Sequence, residues 1–102
     1  MVYFAVTIKM GEEKGRGEYD AYIYQVKPIV ESYGGRYLIR SENITPLDSG
    51  WHPNRFILIE FPTRDALNHC FDSKEYHKIA YKRINSVNSQ AIIIEEDVNE
   101  NL

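Results

Sequence analysis

The chain has 102 residues and a mass of 11.9 kDa, which fits one domain and leaves no room for a second. An apolar fraction of 43% excludes a disordered chain, and a net charge of −3, from 12 basic and 15 acidic side chains, lacks the basic footprint of a nucleic-acid binder. The single cysteine, Cys70, excludes an internal disulfide.

Val2 to Ile8 is rich in β-branched and aromatic residues and reads as a first strand. Gly11, Gly15 and Gly17, mixed with Glu12, Glu13, Lys14 and Arg16, read as a mobile charged connection that could act as a lid. These glycines lie where phosphate loops lie, but the Gly-Lys-Ser/Thr ending is missing and the two glutamates would repel phosphate. From Glu18 the period changes. Tyr19, Tyr22, Ile23, Val26, Ile29, Val30 and Tyr33 recur at spacings of three and four, which is the apolar stripe of a helix. Pro28 lies inside it and predicts a kink near Tyr24–Pro28. Gly34-Gly35 can supply the left-handed residue that stops it.

Arg36 to Ile44 reads as a second strand, Thr45 to Asn54 as a loop, and Arg55 to Phe61 as a third strand ended by Pro62. Thr63 can cap a short helix over Arg64–Phe71, and Ser73 can cap another that places Tyr76, Ile79, Ala80 and Arg83 on one face. Lys74, Lys78 and Lys82 form a positive stripe, read as a solvated face. Ser89 to Glu96 is the last strand. The domain thus runs over 1–97, and 98–102 is an acidic tail.

The order strand, helix, strand, strand, helix, strand is the ferredoxin-like α+β plan, a four-stranded antiparallel sheet with helices on one face. The other face should then alternate with polar residues, and it does so only in part. Phe56, Ile57, Leu58, Ile59 and Phe61 make the third strand apolar on both faces, and Ala91, Ile92, Ile93 and Ile94 do the same for the fourth. A sheet apolar on both sides needs a second cover, and the simplest is another copy of the chain. A homodimer packed sheet on sheet is therefore expected.

Tyr33-Gly34-Gly35-Arg36-Tyr37-Leu38-Ile39-Arg40, then Trp51-x-Pro53-x-Arg55 running into Ile57-Leu58-Ile59-Glu60-Phe61-Pro62, then Asp72-Ser73-x-Glu75-Tyr76, stand in an order and spacing that resemble domain of unknown function 1330. The resemblance runs from Tyr3 to about Glu96. It departs in a longer, more charged Gly11–Gly17 loop and in Lys74, where the family commonly has proline. It implies membership of the dimeric α/β-barrel superfamily, in which two ferredoxin-like sheets pair as a barrel and ligands sit between helices and sheet within a protomer. That superfamily includes cofactor-free monooxygenases, haem-degrading enzymes, lactone isomerases and small-ligand sensors.

Candidate binding residues come from polar groups on apolar elements. Arg36, Leu38 and Arg40 at alternate positions share one face of the second strand, and Glu60 on the third could meet Arg36 or Arg40. A carboxylate among guanidinium groups could hold an acidic ligand in register or, if desolvated, act as a base. The plainer alternative is a structural ion pair. Tyr22 on the first helix, with Tyr76 and Arg83 on the last, could line a cavity with phenolic donors and a cation, or could be ordinary core tyrosines. His52, His69 and His77 match no zinc spacing with Cys70, which reads as a small buried hydrophobe rather than a nucleophile.

The expectation is a small dimeric barrel protein that binds an acidic or aromatic metabolite in a pocket between helices and sheet, with no metal and no cofactor. A cofactor-free enzyme of monooxygenase or isomerase type, and a structural dimer without a ligand, are the alternatives. The longest aliphatic runs, Phe56-Ile57-Leu58-Ile59 and Ala91-Ile92-Ile93-Ile94, are far short of the ~20 residues of a membrane span. No basic segment precedes the apolar start at Val2, so no signal peptide is expected and the cytoplasm is the expected location.

Overall fold

Alternating β-branched and aromatic side chains extend the N-terminal segment as β1 (Val2–Met10), two residues beyond the sequence expectation. The computed structural model describes residues 1–11 and 17–97. Most of the expected Gly11–Gly17 lid, and the tail from residue 98, lie outside the described residues.

The three-and-four stripe forms α1 (Tyr19–Ser32), which buries Tyr19, Tyr22, Val26 and Val30. The helix runs through Pro28, whose ring is on the exposed side. It stops in a Schellman arrangement. Gly34 takes φ 86°, its N–H donates to the Glu31 carbonyl at 3.0 Å, and the Gly35 N–H donates to the Val30 carbonyl at 2.9 Å. Gly35 is required for a different reason. A Cβ there would stand 2.5 Å from Val30 Cγ1 and 3.0 Å from Phe61 Cε1, so the end of α1 can lie on the sheet only without a side chain.

β2 (Arg36–Ser41) is three residues shorter than expected, because Glu42 to Ile44 make no ladder. β3 (Arg55–Phe61) follows, then α2 (Arg64–Asp72), α3 (Lys74–Ile84) and β4 (Val87–Glu95). Thr63 Oγ1 accepts the Ala66 N–H at 3.0 Å and caps α2. Ser73 is shared by two helices. Its hydroxyl donates to the Cys70 carbonyl at 2.7 Å and accepts the Tyr76 N–H at 3.1 Å, closing α2 and capping α3.

The sheet is antiparallel in the order β2-β3-β1-β4. Its period of two assigns the faces. Val2, Val6 and Ile8 of β1 with Ile57, Ile59 and Phe61 of β3 turn to the helices and meet Val26, Val30, Leu67 and Cys70 in the core. Each such side chain contributes about 1.5–3 kcal/mol when fully buried. Phe71 fixes α2 on this face by stacking on Phe4, centroids 4.5 Å apart.

The opposite face carries no helix. Its rows are Ser41–Phe56–Thr7–Gln90, Ile39–Leu58–Ala5–Ile92 and Arg36–Glu60–Tyr3–Ile94. Ile92 is 61% exposed and Ile94 43%. Among the described residues, no helix is long and apolar enough to cross a membrane.

Candidate functional site

The helices do not seal fully against the sheet. A cavity of about 250 Å³ remains between the helices above, chiefly α1 and α3, and the four-stranded sheet below. The helix stripe that builds the core also carries the polar groups of its wall. Tyr22 comes from α1 and Tyr76 from α3, and their hydroxyls lie 3.1 Å apart in a buried hydrogen bond. Their rings meet edge to face at 74°. Arg83, two turns along α3 from Tyr76, donates through Nη1 to Ser89 Oγ of β4 at 2.5 Å.

Strand alternation brings in two more cations. Arg55 is on the helix side of β3, in step with Ile57 and Ile59, and its side chain is only 11% exposed. Its Nη1 stands 3.7 Å from Glu42 Oε2, while its Nε is buried without a hydrogen-bond partner among the described residues. Arg40 of β2 stands at the rim, its guanidinium carbon 5.0 Å from the centroid of Tyr37. Phe4, Phe71 and Val30 supply apolar wall, with Phe71 edge-on to Tyr76 at 5.0 Å.

The electrostatics keep Tyr22, Tyr37 and Arg83 in donor form. Burial pushes the Tyr22 phenol well above its usual range, the Tyr76 hydroxyl adds to this, and Arg83 only partly opposes it. Burial raises Tyr37 likewise, against a weaker downward pull from Arg40. Burial works against the charge on Arg83, but the adjoining Tyr76 and Tyr22 hydroxyls outweigh it and hold its pKa above the ordinary guanidinium value. At neutral pH the wall therefore presents the protonated phenols of Tyr22 and Tyr37 and the charged guanidinium of Arg83. Among the described residues no carboxylate, imidazole or thiol lines the cavity.

Tyr22, Arg40, Tyr76 and Arg83, proposed from sequence, are brought together here. Arg36 and Glu60 are not. They pair with each other at 3.5 Å on the helix-free face, where Tyr3 also donates to Glu96 at 2.7 Å and has its pKa pushed up to about 12 by that bond. The expectation that Arg36, Leu38 and Arg40 share a face fails because β2 is bulged. The register slips between Tyr37 and Ile39, so Arg36 opposes Glu60 on one face and Arg40 opposes Ile57 on the other. Arg55, Tyr37 and Ser89 were not singled out from sequence. For Arg55 the signal was present, since it alternates with Ile57 and Ile59. Cys70 is fully buried, and burial raises its thiol to about 11, so it is a thiol in the core. Among the described residues no three His, Cys, Asp or Glu side chains gather as a metal site.

The model of the family described as Domain of unknown function (DUF1330) matches residues 2–97. The chain belongs to the DUF1330 family. No curated protein matches it. Among solved structures, this DUF1330 chain is similar to a protein of unknown function from Rhodopseudomonas palustris, at 18% identity and TM-score 0.75, over 96% of this chain and 83% of that one. It is similar to a dabb family protein with a ferredoxin-like fold from Mesorhizobium loti, at 14% identity and TM-score 0.69, over 93% and 95% of the two chains. A dimeric ferredoxin-like protein of unknown function from Jannaschia sp. matches at 13% identity and TM-score 0.67, over 93% and 98%. At such identities the likeness establishes the ferredoxin-like fold for the DUF1330 chain, and nothing about its chemistry.

Proposed function

We propose that this DUF1330 chain binds a small acidic or aromatic metabolite in the cavity between its helices and its sheet. One observation carries the reading. Arg40, Arg55 and Arg83, with Ser89, line an otherwise apolar and aromatic cavity with no carboxylate in its described wall. Cationic groups held in apolar surroundings favour an anionic or π-rich occupant, because desolvation strengthens both charge-assisted hydrogen bonds and cation–π contacts. Binding is favoured over turnover because proton abstraction near neutral pH needs a group that titrates there, and the Tyr22 and Tyr37 phenols of this wall have their pKa values raised. A cofactor-free enzyme of monooxygenase or isomerase type would have to place its base on the ligand itself.

The helix-free face supports a second element of the proposal, that two copies pair through it. Ile39, Phe56, Leu58, Ile92 and Ile94 form an apolar surface on that face, and the Jannaschia neighbour is described as dimeric. The unit that pairs is the domain over 1–97.

Thermal melts with separate panels of aromatic acids, aliphatic dicarboxylates and aromatic amines test the binding. Acids should raise the melting temperature in a concentration-dependent way, following a stabilisation of about 2.7 kcal/mol at one hundred times Kd. Stabilisation by amines alone, or by no member of any panel, would contradict the proposal.

A further inference from the structure

The cavity has two chemically different ends, and the sheet register says which is which. Ile8 of β1 pairs with Arg55 of β3 on one side and with Ser89 of β4 on the other. These three form one row beneath the helices, and Arg83 reaches down from α3 onto Ser89. With strands ~4.8 Å apart, Arg55 and Ser89 stand about 10 Å from each other at the backbone. Arg55 and the Ser89-bound Arg83 therefore lie on opposite sides of Ile8, with the Tyr22–Tyr76 hydroxyl pair beside Arg83. Four residues back along β1, about 13 Å away, the row is Ile59–Phe4–Ile93, and Phe71 lies on Phe4. One end is cationic and rich in donors; the other is aromatic.

The polar end is also incomplete. Arg55 Nε is a buried donor with no acceptor among the described residues, while Nη1 of the same guanidinium stands 3.7 Å from Glu42 Oε2. A buried donor left unpaired is costly, and a planar carboxylate is the acceptor that fits a guanidinium fork. Volume limits the rest of the ligand. A cavity of about 150 Å³ holds the six carbons of benzene, so about 250 Å³ holds roughly ten heavy atoms.

We infer that the cavity takes a single-ring arenecarboxylate, acid group first, with the carboxylate between Arg55 and Arg83 and the ring against Phe4 and Phe71. This rests on the binding proposed above and adds the ligand's class, size and orientation. Benzoate and its neutral counterpart benzyl alcohol are the probes, titrated into the full chain by calorimetry and followed by NMR. Benzoate should bind at least about tenfold more tightly than benzyl alcohol, the factor associated with one charge-assisted bond. Arg55→Gln should reduce benzoate affinity by about the same factor and leave benzyl alcohol within about twofold. Ring protons of bound benzoate should show NOEs to Phe4 and Phe71. If neither probe binds, the binding reading falls and this inference with it. If both bind equally, or if Arg55→Gln leaves benzoate unaffected, the cavity binds ligands but not acid first, and only this inference falls. Ring NOEs confined to Tyr22 and Arg83 would likewise overturn it. The comparison of the two probes on the unaltered protein stands without any variant.

Discussion

Cys70 shows how one buried residue sets a pH limit. Its thiol has no exposed surface, and burial raises its pKa from 9.0 to about 11. An acid whose pKa is higher folded than unfolded contributes stability that is complete below the unfolded value and is lost as pH rises through the folded one. Urea melts should give constant stability from neutral pH to about 9 and a decline from there toward 11, continued by the raised Tyr22 and Tyr37. Cys70→Ala should lower stability at pH 7 but remove the earliest part of the decline. At pH 7 the native thiol should resist a thiol reagent that labels the urea-unfolded chain at once. Tyr22 and Tyr76 form a second test at this scale. Each Tyr→Phe change strands one buried hydroxyl and should cost about 1 kcal/mol in chemical denaturation, while the double change should cost clearly less than the sum. These tyrosines, Arg83 and the core role of Cys70 were legible from helical spacing, because three-and-four periodicity fixes which side chains face inward. The faces of Arg36 and Arg40 were not. A bulge moves a side chain across the sheet by one residue, and it is set by pairing with β3 rather than by anything local to β2.

At the scale of elements, the turns hold the site in place. Ser73 both ends α2 and begins α3, so Ser73→Ala should cost about 1–2 kcal/mol, more than Thr63→Ala, which removes a single capping bond. Both caps were legible, because a hydroxyl followed by an acidic first turn is a local signal. Gly35→Ala should destabilise by about 1–3 kcal/mol, since its methyl would run into Val30 and Phe61. Urea midpoints for the three variants check this order of magnitude directly. Sequence identified the glycine pair as a helix stop, but only the packing of α1 on β3 separates the turn role of Gly34 from the close approach at Gly35. Three strand ends moved by two or three residues, because a strand extends only as far as its neighbours offer partners. β1 and β4 lengthen by pairing with each other to Met10 and Val87, and β2 stops where β3 begins.

For the whole molecule, the element order and the two-sided apolar pattern were enough to give the ferredoxin-like plan and to raise the question of a second copy. A pocket between helices and sheet, with Tyr22, Tyr76 and Arg83 in its wall, was expected, but its size and the rest of its wall were not legible. Its wall combines residues of all three helices and all four strands, and no local signal reports how tightly a helix settles on a sheet. Pairing through the helix-free face has a plain consequence. Light scattering should give twice 11.9 kDa over a range of concentrations, and Ile92→Glu, on a side chain already 61% exposed in the protomer, should give 11.9 kDa without loss of helical signal. A wild-type monomer would remove that pairing and leave the cavity in place. The cavity itself is the central claim, and an amide chemical-shift map recorded while benzoate is added tests it most directly. The expected result is saturable shifts grouped around Tyr22, Arg55, Arg83 and Ser89. Shifts grouped instead on Leu58 and Ile92 of the outer sheet face, or none at saturating benzoate, would contradict it.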